Sequence, residues 1–113
     1  MTPLYTIDVA HPPRPPSAAE QELLDAWHHV RRDPHLRILK VIHGYGSSGG
    51  AGSLRDTARN WAYTNRRHFR AIVDGEHYSL FDASTRELRT AVGPYDDPDL
   101  DSANRGILII WIH

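Results

Sequence analysis

A chain of 113 residues holds one compact domain rather than two. Its lack of cysteine excludes disulfides and thiolate chemistry, and no run of eighteen apolar residues is present to be read as a membrane span. The net charge of −1 excludes a uniformly basic nucleic-acid binder; with no basic–apolar–small succession at the start, the expectation is a cytoplasmic protein without a signal peptide or membrane partner.

In Leu4 to Val9, Tyr5, Ile7 and Val9 alternate with Leu4, Thr6 and Asp8, which predicts a short strand. His11 follows, then Pro12-Pro13-Arg14-Pro15-Pro16. These prolines forbid a ladder and read as a rigid strand-to-helix connector or as a proline-rich ligand for another domain. Ser17-Ala-Ala-Glu20 has the form of a capping box. Leu23, Leu24, Trp27 and Val30 recur at helical spacing, so a helix is predicted over 17–32, ended by Asp33-Pro34. His28, His29 and His35 lack an acid at ligand spacing and read as surface histidines.

Leu36 to Ile42 is apolar and β-branched except at Arg37 and Lys40, the pattern of a strand covered on both faces. Ser53, with Asp56 three residues on, caps a helix predicted over 54–65, with Leu54, Ala58, Trp61 and Ala62 on one face. Phe69 to Val73 is a third strand, ending at Asp74-Gly75. Strand–helix–strand–helix–strand with short joints predicts parallel pairing. Tyr78 to Phe81 and Leu88 to Val92 are expected to form a hairpin across Asp82 to Thr85. Asp96, Asp97, Asp99 and Asp101 lack the spacing of a calcium loop and read as solvated. Gly106 to Ile112 is the strongest strand signal and belongs within the sheet. The organisation expected is a single domain over 1–113. Residues 1–16 form its first strand and proline-rich connector, and 74–106 an insertion of hairpin and acidic loop.

Gly44, Gly46, Gly49, Gly50 and Gly52 lie between the central strand and the second helix. A bare backbone beside a helix N-terminus suits an anion, phosphate above all; a flexible connector is the plainer alternative. Gly44-Tyr-Gly-Ser-Ser-Gly49 matches the dinucleotide fingerprint as a string, but the helix begins too late for the third glycine to pack in it. A chain this short also lacks the two halves of that fold. The cations are nearly all arginine, clustered at 31–32, 55–70 and 86–89. Arginine suits bidentate phosphate contacts, though such clusters also occur as solvated helix surface. His43 ends the central strand, where open α/β sheets bind ligands, and an imidazole can move protons near neutrality. Were the first two strands neighbours, Asp8 could orient His43 beside the glycine loop, an arrangement suited to phosphodiester cleavage. Alternatively, Asp8 caps a turn and His43 hydrogen-bonds within it.

In this setting the residues resemble the Smr, or small MutS-related, domain family. The resemblance is carried by Val41-Ile-His-Gly-Tyr-Gly46, by Gly52-Ser-Leu-Arg55 opening a helix that holds Trp61, and by Thr6-Ile-Asp-Val-Ala-His11. Asn104-Arg-Gly-Ile-Leu-Ile-Ile-Trp111 looks like the family's closing segment. The resemblance implies a βαβαββ two-layer sandwich with a mixed, mostly parallel sheet, similar to the C-terminal domain of bacterial initiation factor three. It implies binding of DNA or RNA and, as in several members, endonuclease activity, with Mg²⁺ or Mn²⁺ as candidate cofactors and no metal ligand assigned. The catalytic residues it implies are His43, Asp8 and His11. Gly44, Tyr45, Gly46, Arg55 and Lys40 would hold the nucleic acid. Ala10 stands where the family has its early histidine, His11 comes one residue later, Pro12 replaces a glycine, and Tyr45 replaces a basic residue. These departures bear on cleavage more than on binding. A catalytically inactive binding module of the same fold and a small nucleotide- or phosphate-binding domain are the alternatives.

Overall fold

The computed structural model describes residues 2–45 and 53–113. Most of the glycine loop, from Gly46 to Gly52, therefore lies outside the described residues. Four strands form one sheet: β1 (Leu4–Asp8), β2 (Ile38–Ile42), β3 (Ala71–Asp74) and β4 (Ile107–Trp111), in the order β1-β2-β4-β3. Three helices accompany them: α1 (Pro16–Arg32), α2 (Leu54–Thr64) and α3 (Ala83–Val92).

The sheet is mixed. β1 and β2 are parallel, with Leu4 opposite Ile38 and Asp8 opposite Ile42. β4 runs antiparallel to both β2 and β3. β1, β2 and β3 thus share one direction, but only the β1–β2 pairing is parallel. The expected neighbourhood of β2 and β3 does not form, because β4 lies between them. The composition of β4 explains this. Ile107, Ile109 and Trp111 enter one apolar cluster, Leu108 and Ile110 the other, and all five residues are buried. A strand apolar on both faces is most stable where both faces are covered and both edges are paired.

The first cluster joins Leu39, Val41, Leu108 and Ile110 to Ala19, Leu23, Trp27 and Val30 of α1 and to Ala58 and Ala62 of α2. The second joins Ile38, Val73, Ile109 and Trp111 to Leu88 of α3 and to Tyr78 and Tyr95. A two-layer reading therefore accounts for the α1/α2 side only; α3 and neighbouring loop residues pack on the other face.

Two local expectations are corrected. The helix starts at Pro16, so Ser17 lies inside it and no side chain caps it. Proline fits the first helical position, where its missing N–H leaves no bond unmade. The hairpin across Asp82 to Thr85 is instead a helix start. The Asp82 carboxylate accepts from Thr85 N–H at 2.9 Å and from Thr85 Oγ1 at 2.8 Å. Thr85, Leu88 and Val92 then fall on one helical face, with Thr85 and Leu88 buried. The segment expected as the hairpin's second strand follows a 3.6-residue period. By contrast, Ser53 caps α2 as expected, accepting from Asp56 N–H at 3.1 Å.

Two glycines separate steric from conformational demand. A Cβ on Gly75 would lie 1.9 Å from the Asn104 carbonyl oxygen and 2.5 Å from Ile107 Cγ1. Gly93 has φ of 84° but no atom within 4 Å of an added Cβ. Gly93→Ala is expected to cost about 1–3 kcal/mol through the backbone alone. Gly75→Ala should cost at or above the top of that range, because backbone must move; urea unfolding of the two variants checks the order.

Candidate functional site

Strand direction brings the carboxyl ends of β1, β2 and β3 and the start of β4 to one end of the sheet. Three of the sequence segments singled out above meet there. The Gly106 carbonyl accepts from His43 N–H at 2.9 Å and from Gly44 N–H at 3.1 Å. Gly106 N–H donates to Asn104 Oδ1 at 2.9 Å. Gly44, at φ of 75°, faces Ala10 so closely that an added Cβ would lie 3.4 Å from the alanine methyl.

The imidazole of His43 is buried, with 3% of the residue exposed. Its Nδ1–H donates to the Gly44 carbonyl at 2.7 Å. Burial lowers its pKa below the ordinary histidine value, and the Arg55 charge adds to this. The Gly44 and Ile107 carbonyls and Asp74 act in the opposite direction without overcoming it. The ring is therefore neutral near pH 7, and its burial leaves almost no surface for an external phosphate to meet.

Asp8 does not approach His43. It stands opposite Ile42 in register, and successive strand side chains point to opposite faces, so Asp8 and His43 diverge. Asp8 instead holds the turn after β1, accepting from Ala10 N–H at 2.8 Å and His11 N–H at 3.0 Å. His11 Nδ1 lies 2.9 Å from Asp8 Oδ2. Partial burial would raise the Asp8 pKa, but the donors from Ala10 and His11 outweigh it and hold the carboxylate below its usual range. The His11 side chain is 71% exposed, and its Nε2 makes no hydrogen bond among the described residues. The couple that forms is Asp8 with His11, in the open.

The residues expected to hold nucleic acid separate. Tyr45 is exposed beside Gly44, and Gly46 lies outside the described residues. Arg55 is half-buried and donates to Glu76 at 3.3 Å. Lys40 is not open to a phosphate. It points from the middle of β2 to the α3 face, is 5% exposed, and pairs with Asp97 at 2.7 Å and with Asp99. Burial alone would lower the Lys40 pKa; the two carboxylates outweigh it and raise it. Asp97 also accepts from the Tyr78 hydroxyl at 3.0 Å, and that hydroxyl meets Tyr95 Oη at 2.8 Å. The acidic stretch is thus partly internal, not wholly solvated. A lysine inside an otherwise apolar strand was the signal for it, since a buried ammonium needs a carboxylate.

Sequence reasoning also missed Asp74, Glu76 and His77, one ligand atom of each lying within 4.8 Å of the others. As a metal site this group is already compensated. Arg59 lies 3.2 Å from Asp74, and Glu76 has Arg55 on one oxygen and Arg105, at 3.6 Å, on the other. Three guanidinium charges oppose a divalent cation there. Comparison of the chain with protein-family models, with curated proteins and with solved structures finds no match.

Two measurements check these assignments. Lys40→Met leaves the wholly buried Asp97 carboxylate without its cation and should cost about 3–5 kcal/mol in urea unfolding, part of which Asp97→Asn restores in the double variant. In NMR titration the His43 ring should protonate below the ordinary histidine pKa of about 6.5. Because that folded pKa is depressed, the unfolded chain takes up the proton first. Stability should therefore fall as pH drops from about 6.5 toward the folded value.

Proposed function

We propose that this chain is a nucleic-acid-acting domain whose chemistry, phosphodiester cleavage, is carried by His11 with Asp8. The observation that carries the reading is the open Asp8–His11 couple at the sheet end where the His43-Gly44 and Asn104-to-Gly106 segments meet. Asp8 fixes the tautomer by accepting from Nδ1–H, which leaves Nε2 to take a proton from an attacking hydroxyl or water and return it to the leaving oxygen. His43 is a positioning residue here: its ring and amide tie Gly44 to the turn beside Ala10. The order of these segments along the chain, with its likeness to the Smr family, supports the same reading. On this reading the fold is similar to that of the C-terminal domain of initiation factor three, and the protein acts in the cytoplasm.

One observation favours a second reading, a binding module of the same fold without cleavage. The amides of His43 and Gly44 already donate to Gly106, so they are not open to stabilise a charged phosphorane.

Labelled RNA and plasmid or branched DNA, incubated with and without Mg²⁺ or Mn²⁺, separate the two. Cleavage by the wild type that falls about 100-fold or more in His11→Ala supports the enzyme. Binding with no cleavage under any condition leaves the module. Cleavage unchanged in His11→Ala removes the role given to that residue. Binding of mononucleotides but not of polymers would place the chain with small phosphate-binding domains instead.

A further inference from the structure

Among the thirteen lysines and arginines, two sets of five stand out. Arg14, Lys40, Arg55, Arg59 and Arg105 each have a carboxylate within 4 Å. Arg31, Arg32, Arg66, Arg67 and Arg70 have none among the described residues. All five are exposed, and topology gathers them. α1 returns from the end of β1 to the start of β2, and α2 from the end of β2 to the start of β3, so both helices finish at the amino ends of the strands. Residues 27–37 and 61–70 hold six arginines and a single acid, Asp33, in a chain of net charge −1.

Side-chain packing ties the two segments together. The Trp27 ring of α1 lies 5.2 Å from His68 and 5.4 Å from Phe69, between the centroids. The Arg31 guanidinium stands over Trp27 at 5.6 Å, and that of Arg70 over Trp111 at 5.5 Å. A guanidinium held against a ring keeps its N–H edge for another partner.

We infer that this arginine pole, opposite the Asp8–His11 end, binds the phosphate backbone of a nucleic acid without reading its sequence. Arginine alone, in several copies with no lysine among them, suits bidentate contacts to phosphate. The inward-facing Trp27 has 8% of its surface exposed, and Tyr63, 44% exposed near the end of α2, is open to stack on a base; such stacking does not depend on which base it meets. A membrane surface fits less well, since surface-binding elements pair cations with exposed apolar anchors. The more exposed ones lie elsewhere, Tyr45 beside Gly44 at the motif end and Leu80 and the 90% exposed Phe81 before α3 on the other face of the sheet, which leaves Tyr63 alone at the pole. The inference stands apart from the cleavage reading: binding with no cleavage would sink that reading and leave this one intact.

The test is fluorescence anisotropy of a labelled oligo(dT) across a salt series. The side chains of Arg32 and Arg67 donate to no protein group among the described residues, so Arg32→Gln with Arg67→Gln removes two charges without breaking a side-chain hydrogen bond. The double variant should bind about tenfold more weakly, with a salt slope smaller by about 1.4. Arg86→Gln, on the exposed face of α3, is the control and should bind like the wild type. The inference is overturned if the wild type does not bind, if the double variant binds equally well, or if Arg86→Gln weakens binding as much. Tighter binding to poly-glutamate or to phosphatidylserine vesicles than to the oligonucleotide would overturn it in favour of an acidic protein or a membrane.

Discussion

The placement of β4 is the constraint from which the rest follows. Its five buried residues feed both apolar clusters in alternation, and neither face can be exposed without loss. Each buried aliphatic side chain contributes about 1.5–3 kcal/mol, so the central position is strongly preferred over an edge. From that position β4 fixes both ends of the molecule. At its start, the Gly106 carbonyl captures the amides of His43 and Gly44. At its finish, Trp111 lies opposite Ile38 and Ala71 and beneath Arg70. The motif end and the arginine pole are two consequences of one antiparallel insertion.

Much of this was legible in the sequence because it depended on local patterns. The apolar run of β4, the Ser53 cap and the 3.6-residue spacing along α1 and α2 are written in neighbouring residues. What was not legible depended on partners far apart. Nothing near Lys40 reveals that Asp97 and Asp99 will fold over it, although a lone lysine amid Ile38 to Ile42 demanded some such pair. Leu88 to Val92 is too short to declare a period by itself, and the cap from Asp82 to Thr85 makes it the second half of a helix rather than a hairpin strand. For the candidate site, the segments were identified but not their pairing. Asp8 and His43 end adjacent strands, yet the pleat sends them apart, and the late His11 takes the carboxylate instead. That outcome follows from register, Asp8 against Ile42, which no single segment contains.

Charge shows the same division between local and long-range. The net value of −1 conceals a separation, since the carboxylates neutralise the cations of the motif end and Lys40, but not the arginines of the pole nor Arg86 and Arg89 of α3. An arginine beside a carboxylate at 3.2–3.6 Å has most of its field cancelled a Debye length away, about 8 Å at physiological salt. An unpaired one does not. The attraction felt by an approaching polyanion is therefore strongest at the pole, where five exposed arginines gather, whatever chemistry the other end performs.

This geometry limits how the two ends can cooperate. A five-residue strand spans roughly 16 Å, so the ends are about two Debye lengths apart and do not attract a ligand jointly. The surface between them beside β1 is lined by Tyr5, Ile7, Glu22, Asp25, His29 and Arg32; Glu22 is paired with Arg14 at 3.0 Å, and Asp25 opposes Arg32, so it offers a phosphate chain no continuous positive track. A strand held at the pole is thus not led to His11 by this route. Affinity and cleavage should respond to different residues. Loss of arginines 32 and 67 weakens capture without touching the imidazole, and loss of His11 removes proton transfer without touching capture. A fold organised around β4 separates holding from reacting because that strand displays its two termini at opposite ends of the sheet.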